Sequence, residues 1–219
     1  MPRQNRVIPF GDIIATPERG TFMGNRGLLH DDMGRIQRPW RLKRWLICVL
    51  EYQGRKRTVM TPGRYTELFF LDEATALAAG HRPCAECRRD SYLAFADAWK
   101  LANRMDERPM APEMDDQLHA DRITADNGKK TYTARLDQLP DGVFVALSEE
   151  KERAFLVWGS SLLAWSPEGY GSPTRRLGET VKVLTPKSTV SVIQAGYVPK
   201  VHDSAKLLTV ESGFSPHLS

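Results

Sequence analysis

The 219-residue chain has only three cysteines, Cys48, Cys84 and Cys87. An odd, small number does not build a disulfide framework. In a chain of this kind a close cysteine pair reads instead as metal or redox chemistry. Long hydrophobic runs are also missing. Stretches such as Trp45–Leu50 and Ala154–Trp158 fall far short of the ~20 residues that cross a bilayer, so no membrane span is expected. The opening Met1-Pro2-Arg3-Gln4-Asn5-Arg6-Val7 is polar, with no apolar core for a signal peptide, and the expected compartment is the cytoplasm. The phosphate-cradling Gly-x-x-x-x-Gly-Lys-Ser/Thr and Gly-x-Gly-x-x-Gly runs are absent. So are the Gly-x-Ser-x-Gly elbow and His-Glu-x-x-His. With 41% hydrophobic and 26% charged residues the composition is that of an ordinary globular protein, which excludes disordered, collagenous and fibrous chains.

The charge is unevenly spread. The chain carries +4 overall, but residues 1–104 hold 18 Lys+Arg against 11 Asp+Glu, and residues 105–219 hold 13 against 16. The densest basic block contains Arg35, Arg38, Arg41, Lys43 and Arg44, and Arg55-Lys56-Arg57 follows. Such blocks attract phosphates by counterion release; they also serve simply as solvated surface. Trp40 and Trp45 flank this block, and cations interleaved with aromatics suit phosphate contact with base stacking. Trp45 reads as strand core, and Trp40, after Pro39, as the more exposed of the two.

The pattern along the chain predicts an α+β protein. Residues 1–43, rich in Gly, Pro and Arg, read as mostly irregular. Arg44–Tyr52 and Lys56–Met60 read as a hairpin across Gln53-Gly54-Arg55. Asp72–Gly80 predicts a short helix, with Asp72 as its N-cap and Gly80 at the left-handed C′ position. Helices are predicted over Ala85–Asn103, with a stripe of Leu93, Ala96, Trp99 and Leu101, and over Glu113–Ile123. Beyond Asn127-Gly128 short strands recur at Lys130–Asp137, Val143–Leu147, Ala154–Trp158, Leu162–Trp165 and Val181–Leu184, with a turn over Pro167 to Pro173. Ser188 marks a weakly patterned helix ending at Gly196, and the tail after Val210 reads as loose. Pro109 and Pro112 suggest a boundary between a basic module, residues 1–110, and a small antiparallel β module, residues 111–219.

The sharpest feature is Gly80-His81-Arg82-Pro83-Cys84-Ala85-Glu86-Cys87-Arg88-Arg89-Asp90. A Cys-x-x-Cys turn aims two sulfurs at one point. At a helix start, backbone N–H groups and the dipole favour thiolate, the form that binds zinc. A thioredoxin-like redox pair and two ordinary buried cysteines are the competing readings. One pair gives two ligands, and tetrahedral zinc takes four, or three plus water. The rest must come from His, Asp or Glu, unless Cys48 serves. His30, beside Asp31 and Asp32, is one candidate. His119 is the other: on a helix it shares a face with Asp115 and Arg122, as a fourth ligand or as a general base. His81 and a carboxylate remain alternatives.

The stretch from Leu71-Asp72-Glu73-Ala74 through Ala79-Gly80-His81-Arg82-Pro83-Cys84-Ala85-Glu86-Cys87-Arg88-Arg89-Asp90 resembles the second half of the Ada-type metal-binding domain of bacterial DNA alkylation-repair proteins. The pattern is an acidic-start helix, then Ala-Gly-aromatic-Arg-Pro-Cys-x-x-Cys-Arg. It covers about 20 residues of 219 and implies a zinc-bound fold with Cys84 and Cys87 as ligands. The arrangement is also similar to the zinc knuckle of treble-clef and HNH-type modules. The family places two further cysteines upstream, one of which accepts a methyl group from a DNA phosphotriester. This chain has no upstream pair, only His30 and then Cys48, so the methyl-acceptor role transfers to no residue here.

Three functions are consistent with these patterns. The first is a zinc-binding protein that binds nucleic acid, DNA foremost. Cys84, Cys87, His30 and His119 hold Zn2+ in this reading, and Arg26, Arg35, Arg38, Arg41, Lys43 and Arg88 meet phosphates. The second is a zinc-dependent hydrolase or nuclease with an open metal position and His119 or Asp121 as base. The third is a metal-stabilised scaffold for a protein or small ligand.

Overall fold

A computed structural model describes residues 1–55, 58–147, 153–176 and 178–211, the side chains of 209–211 excepted. Among the described residues the chain forms two six-stranded sheets and five α-helices, an α+β architecture.

The first sheet is built from β1 (Gln4–Val7), β2 (Ile13–Ala15), β3 (Phe22–Asn25), β4 (Leu46–Cys48), β5 (Leu68–Phe70) and β6 (Arg82–Pro83), in the order β2-β1-β5-β3-β4-β6. It is mixed: β1 runs parallel to β5 and β4 parallel to β6, and the remaining neighbours are antiparallel. Three of these strands lie in residues 1–43, where the sequence predicts irregular chain. Each spans only three or four residues, too few for a legible alternation, and the sheet rather than propensity holds them. Gly24 in β3 is needed for close approach, because a Cβ there would lie 2.0 Å from the carbonyl oxygen of Leu46 in β4. The predicted hairpin does not form. Both edges of β4 are taken, by β3 and β6, and residues 58–60 are not strand; residues 56 and 57 lie outside the described residues.

The second sheet contains β7 (Tyr132–Arg135), β8 (Phe144–Ala146), β9 (Phe155–Trp158), β10 (Ser161–Ser166), β11 (Gly169–Arg175) and β12 (Thr180–Val183). Its order is β11-β10-β9-β8-β12-β7, and every pair is antiparallel. The predicted strands are all present. The stretch from Pro167 to Pro173, predicted as a turn, instead contributes β11, paired to β10 with an irregularity between Leu163 and Trp165.

Helix α1 (Glu73–Ala78) lies between the two sheets, and all six of its residues are buried. Ala76 and Leu77 pack with Leu68, Phe70 and Phe95 in one core. Ala74 and Ala78, one turn apart, pack with Phe144, Leu156 and Leu163 in the other. The alanines fit this double burial because they keep both sheets close. Asp72 caps the helix as predicted, its Oδ1 accepting from the Thr75 N–H at 2.8 Å. Gly80 ends it at φ +94°, and any Cβ there would meet the Arg122 side chain at 2.5 Å.

Helix α2 (Arg89–Ala102) starts four residues later than predicted, because residues 84–88 form a turn. It buries Phe95, Ala96, Ala98 and Trp99, and Leu101 faces solvent. Helix α4 (Lys187–Gln194) packs on α2, α3 (Ala111–Arg122) packs on α4, and α5 (Asp203–Glu211) lies on β11. Residues 212–219, most of the tail predicted to be loose, lie outside the described residues. Val192 of α4 and Tyr197 belong to the same core as Phe70 and Trp99, so the chain after residue 110 returns to complete the core begun before it.

Among the described residues two ion pairs are buried, Arg82 with Asp115 and Arg88 with Glu73. Arg82 and Asp115 meet in a two-pronged contact, Nε to Oδ1 at 2.8 Å and Nη2 to Oδ2 at 2.7 Å, with side chains 2% and 9% exposed. This joins β6 to α3. Asp115→Ala leaves a buried guanidinium without its partner and is expected to cost about 3–5 kcal/mol in urea unfolding, whereas the double change Arg82→Met/Asp115→Leu recovers most of the loss.

Candidate metal centre

The two cysteines of the Cys-x-x-Cys turn are placed by strand pairing. In the parallel β4–β6 pair Ile47 stands opposite Pro83, and the Cys84 N–H donates to the Ile47 carbonyl at 2.9 Å. That register sets Cys48, the next residue of β4, beside Cys84. The turn then closes with the Arg88 N–H on the Cys84 carbonyl at 3.2 Å, which returns Cys87 to the same point. The three Sγ atoms lie within 4.8 Å of one another. Cys48 and Cys84 are buried, Cys87 is partly exposed, and Met23, opposite Cys48 on β3, packs against them.

Three sulfurs held about 2.3 Å from one ion at tetrahedral angles stand about 3.8 Å apart, so this cluster is close enough to hold a metal with a small contraction. The surroundings favour thiolate at two positions. The Cys84 thiol is drawn down to about 5, foremost by a hydrogen bond from the Cys48 thiol and further by the backbone N–H groups of Cys87 and Glu86; burial opposes this. Cys87 is also lowered, first by Cys48 and further by the Val49 N–H, again against burial. Cys48 is raised, by its contacts to Cys84 and Cys87 and by burial. Metal binding requires deprotonated sulfurs, so a divalent ion held here would release whatever protons the cluster still carries.

The structure brings Cys84 and Cys87 together with Cys48, and does not bring His30 or His119 to them. Among the described residues the cysteines form the one group of three or more metal-ligating side chains, and no His, Asp or Glu joins it. His30 is buried with both nitrogens engaged: Nδ1 lies 2.6 Å from the Thr66 hydroxyl, and Nε2 donates to the Thr61 carbonyl at 3.3 Å. His119 stands edge-on to Trp40, ring centroids 4.6 Å apart, with Nδ1 accepting from Arg122 at 3.3 Å. His81 is fully buried, its Nε2 accepting from Arg26 and its Nδ1 directed at the Ala76 carbonyl. Burial and the nearby Arg26 and Arg122 hold His81 well below the usual histidine range, so it is neutral.

The basic residues divide. Arg26 and Arg88, predicted to meet phosphates, are buried and committed to the fold. Arg26 donates to the Gly11 and Pro39 carbonyls and lies 4.0 Å from the centre of the Trp45 ring; Arg122 lies at the same distance from that ring. Burial, foremost, brings both guanidinium groups down to about 9. Trp45 is therefore core, as predicted, and its π face is occupied by buried cations. Arg88 pairs with the buried Glu73 at 2.8 Å, and Glu73 also accepts from the Tyr197 hydroxyl at 2.5 Å. Arg35 and Lys43 are exposed and paired with Asp31 and Asp116. Arg38 and Arg41 are exposed.

No family model matches the chain, and no curated protein or solved structure matches it.

From the sequence, Cys48 is only an alternative ligand. The available signal was its position in a strand-forming run, followed by an extended His81-Arg82-Pro83 that can pair with that run. Metal analysis of the purified protein is expected to give about one equivalent per chain. Cys48→Ser and Cys84→Ser each abolish that binding, whereas His30→Ala and His119→Ala retain it; loss of metal in either histidine variant overturns the three-cysteine assignment.

Proposed function

We propose that the protein binds Zn2+ through Cys48, Cys84 and Cys87 and binds nucleic acid, DNA foremost, and that its metal module is related to the Ada-type domain. The observation that carries this reading is the convergence of the three sulfurs. Thiolate donors suit zinc, and the N–H groups directed at Cys84 and Cys87 hold the ligands in their charged form. Zinc, when bound, supplies a fixed charge that pins β4 to the start of α2.

The hydrolase reading is less well supported. Three thiolates more than neutralise a divalent ion and weaken its pull on a bound water. The two groups proposed as its base are also occupied: His119 is against Trp40, and Asp121 accepts from Gln117 and from the Ser188 N–H.

Support for a nucleic-acid partner comes from the exposed segment leading into β4. Arg38, Arg41 and Arg44 are exposed, and none has a carboxylate partner among the described residues. Arg35 and Lys43 hold only solvent-exposed ion pairs, which are weak and can be exchanged for phosphates. Trp40 stands in the same segment, its indole N–H donating to Asn127.

Binding of a labelled DNA duplex is expected to weaken steeply with salt. Three to five phosphate contacts give a log–log slope of about −3 to −4.5. Arg38→Glu/Arg41→Glu is expected to lower duplex affinity at least ~10-fold while metal content is unchanged. If fluorescence anisotropy detects no association with DNA or RNA at ~20 mM salt, where surface charges are least screened, the nucleic-acid reading is wrong.

A further inference from the structure

A second basic surface lies next to the thiol cluster and apart from the Arg38–Arg41 segment. It is a cleft of about 1210 Å³ bordered by Arg3, Arg6, Arg19 and Arg55, with Met23 and Phe69 among its apolar lining. Met23 and Phe69 also pack against Cys48 and Cys84, so they form the partition between cleft and metal centre. The cleft is larger than the about 300–1,000 Å³ of ordinary small-molecule pockets.

The four arginines are only partly used by the fold. Arg6 donates through Nε to the Glu18 carbonyl and through Nη1 to Asn5, while its guanidinium lies 4.9 Å from the centre of the Phe69 ring. Arg3 donates through Nη1 alone, to the Val59 carbonyl. Arg55 holds one exposed ion pair, with Glu86 at 3.1 Å. Arg19 is exposed and has no partner among the described residues. The acidic residues of the lining are Glu51 and Glu67. Glu67 is 4% exposed and turned inward, its Oε2 accepting from the Met60 N–H at 2.7 Å. Cationic groups therefore dominate the rim.

We propose that this cleft holds a short stretch of single-stranded nucleic acid, with phosphates against Arg3, Arg6, Arg19 and Arg55 and a base against Phe69 and the exposed Leu50. The proposal rests on the nucleic-acid reading above and adds the form of the ligand and its place. A duplex carries its phosphates outside and keeps its base faces stacked within, so it can use the arginines but not the apolar floor. An unpaired strand offers phosphate and an exposed base face within one nucleotide, which matches both halves of the lining.

The test uses the metal-loaded 219-residue chain, fluorescence anisotropy, and two probes of equal length: a labelled oligothymidylate and a duplex. Arg19→Glu/Arg55→Glu alters only exposed side chains, and metal content with circular dichroism checks its fold; Arg19→Gln/Arg55→Gln is used if the first variant loses either. The expected result is an about tenfold or greater loss of oligothymidylate affinity with little change for the duplex. Photocrosslinks from a 5-iodouracil strand are expected at Phe69 or Leu50. If the cleft variant binds oligothymidylate within about twofold of wild type, the cleft assignment is overturned. Should Arg38→Glu/Arg41→Glu abolish both associations at the same time, the cleft fails and the broader reading stands. If the wild type binds neither probe at low salt, both fail.

Discussion

The short parallel pairing of β4 with β6 is the constraint on which the site depends. It is only two residue pairs long, Leu46 with Arg82 and Ile47 with Pro83. Yet it places Cys48 at the end of one strand and Cys84 at the end of the other, side by side. The elements around it keep it from slipping. β3 covers the other edge of β4, with Gly24 allowing the close approach. Arg82 is tied to Asp115 of α3, which fixes β6 from behind. A shift of one residue in this register would turn Cys48 to the opposite face of the sheet and leave the turn with two sulfurs.

Buried charge serves as framing in this protein. Asp72 caps α1, takes the Tyr170 hydroxyl at 2.6 Å and accepts from the His202 N–H. Glu73, its neighbour, joins Arg88 and Tyr197. These two carboxylates link the start of the central helix to the second sheet, to the segment before α5 and to the residue that follows Cys87. The cysteine turn is thus connected, through Arg88 and Glu73, to the later part of the chain. Such interior pairs are costly to break, because removing one member strands the other in a poorly solvated place. They also take arginines out of the pool that can reach a ligand, which is why the count of basic residues overstates the surface available for phosphates.

The two basic surfaces that remain relate to the thiol cluster in different ways. The Arg38–Arg44 segment leads into β4 and therefore into Cys48. The arginine cleft is divided from the sulfurs by Met23 and Phe69. In the proposed function, a metal held by the cluster would stiffen the end of β4 and the start of α2. Under that proposal the site would be structural, a role a three-thiolate donor set suits better than activation of water.

Much of the local structure was legible because it depends on spacing within a few residues. The Asp72 cap and the Gly80 stop of α1 follow from side-chain reach and backbone freedom. The alternation at Tyr132 to Leu136 and the regularly spaced short strand-forming runs up to Leu184 marked most of the second sheet. The Cys84–Cys87 turn was legible for the same reason. The three strands before residue 26 were not, since each is too short to display a period and exists only through its neighbours. By itself the sequence determined that two sulfurs would face one point, that the fold would mix helices with a later antiparallel sheet, and that the positive charge would gather in the first half. Only the tertiary structure decided that Cys48 rather than His30 or His119 joins the pair, and that Arg26 and Arg88 lie inside rather than out. The reason is physical: ligand sets and burial are fixed by contacts between residues tens of positions apart, and those contacts are set by strand register and packing, which local patterns do not encode.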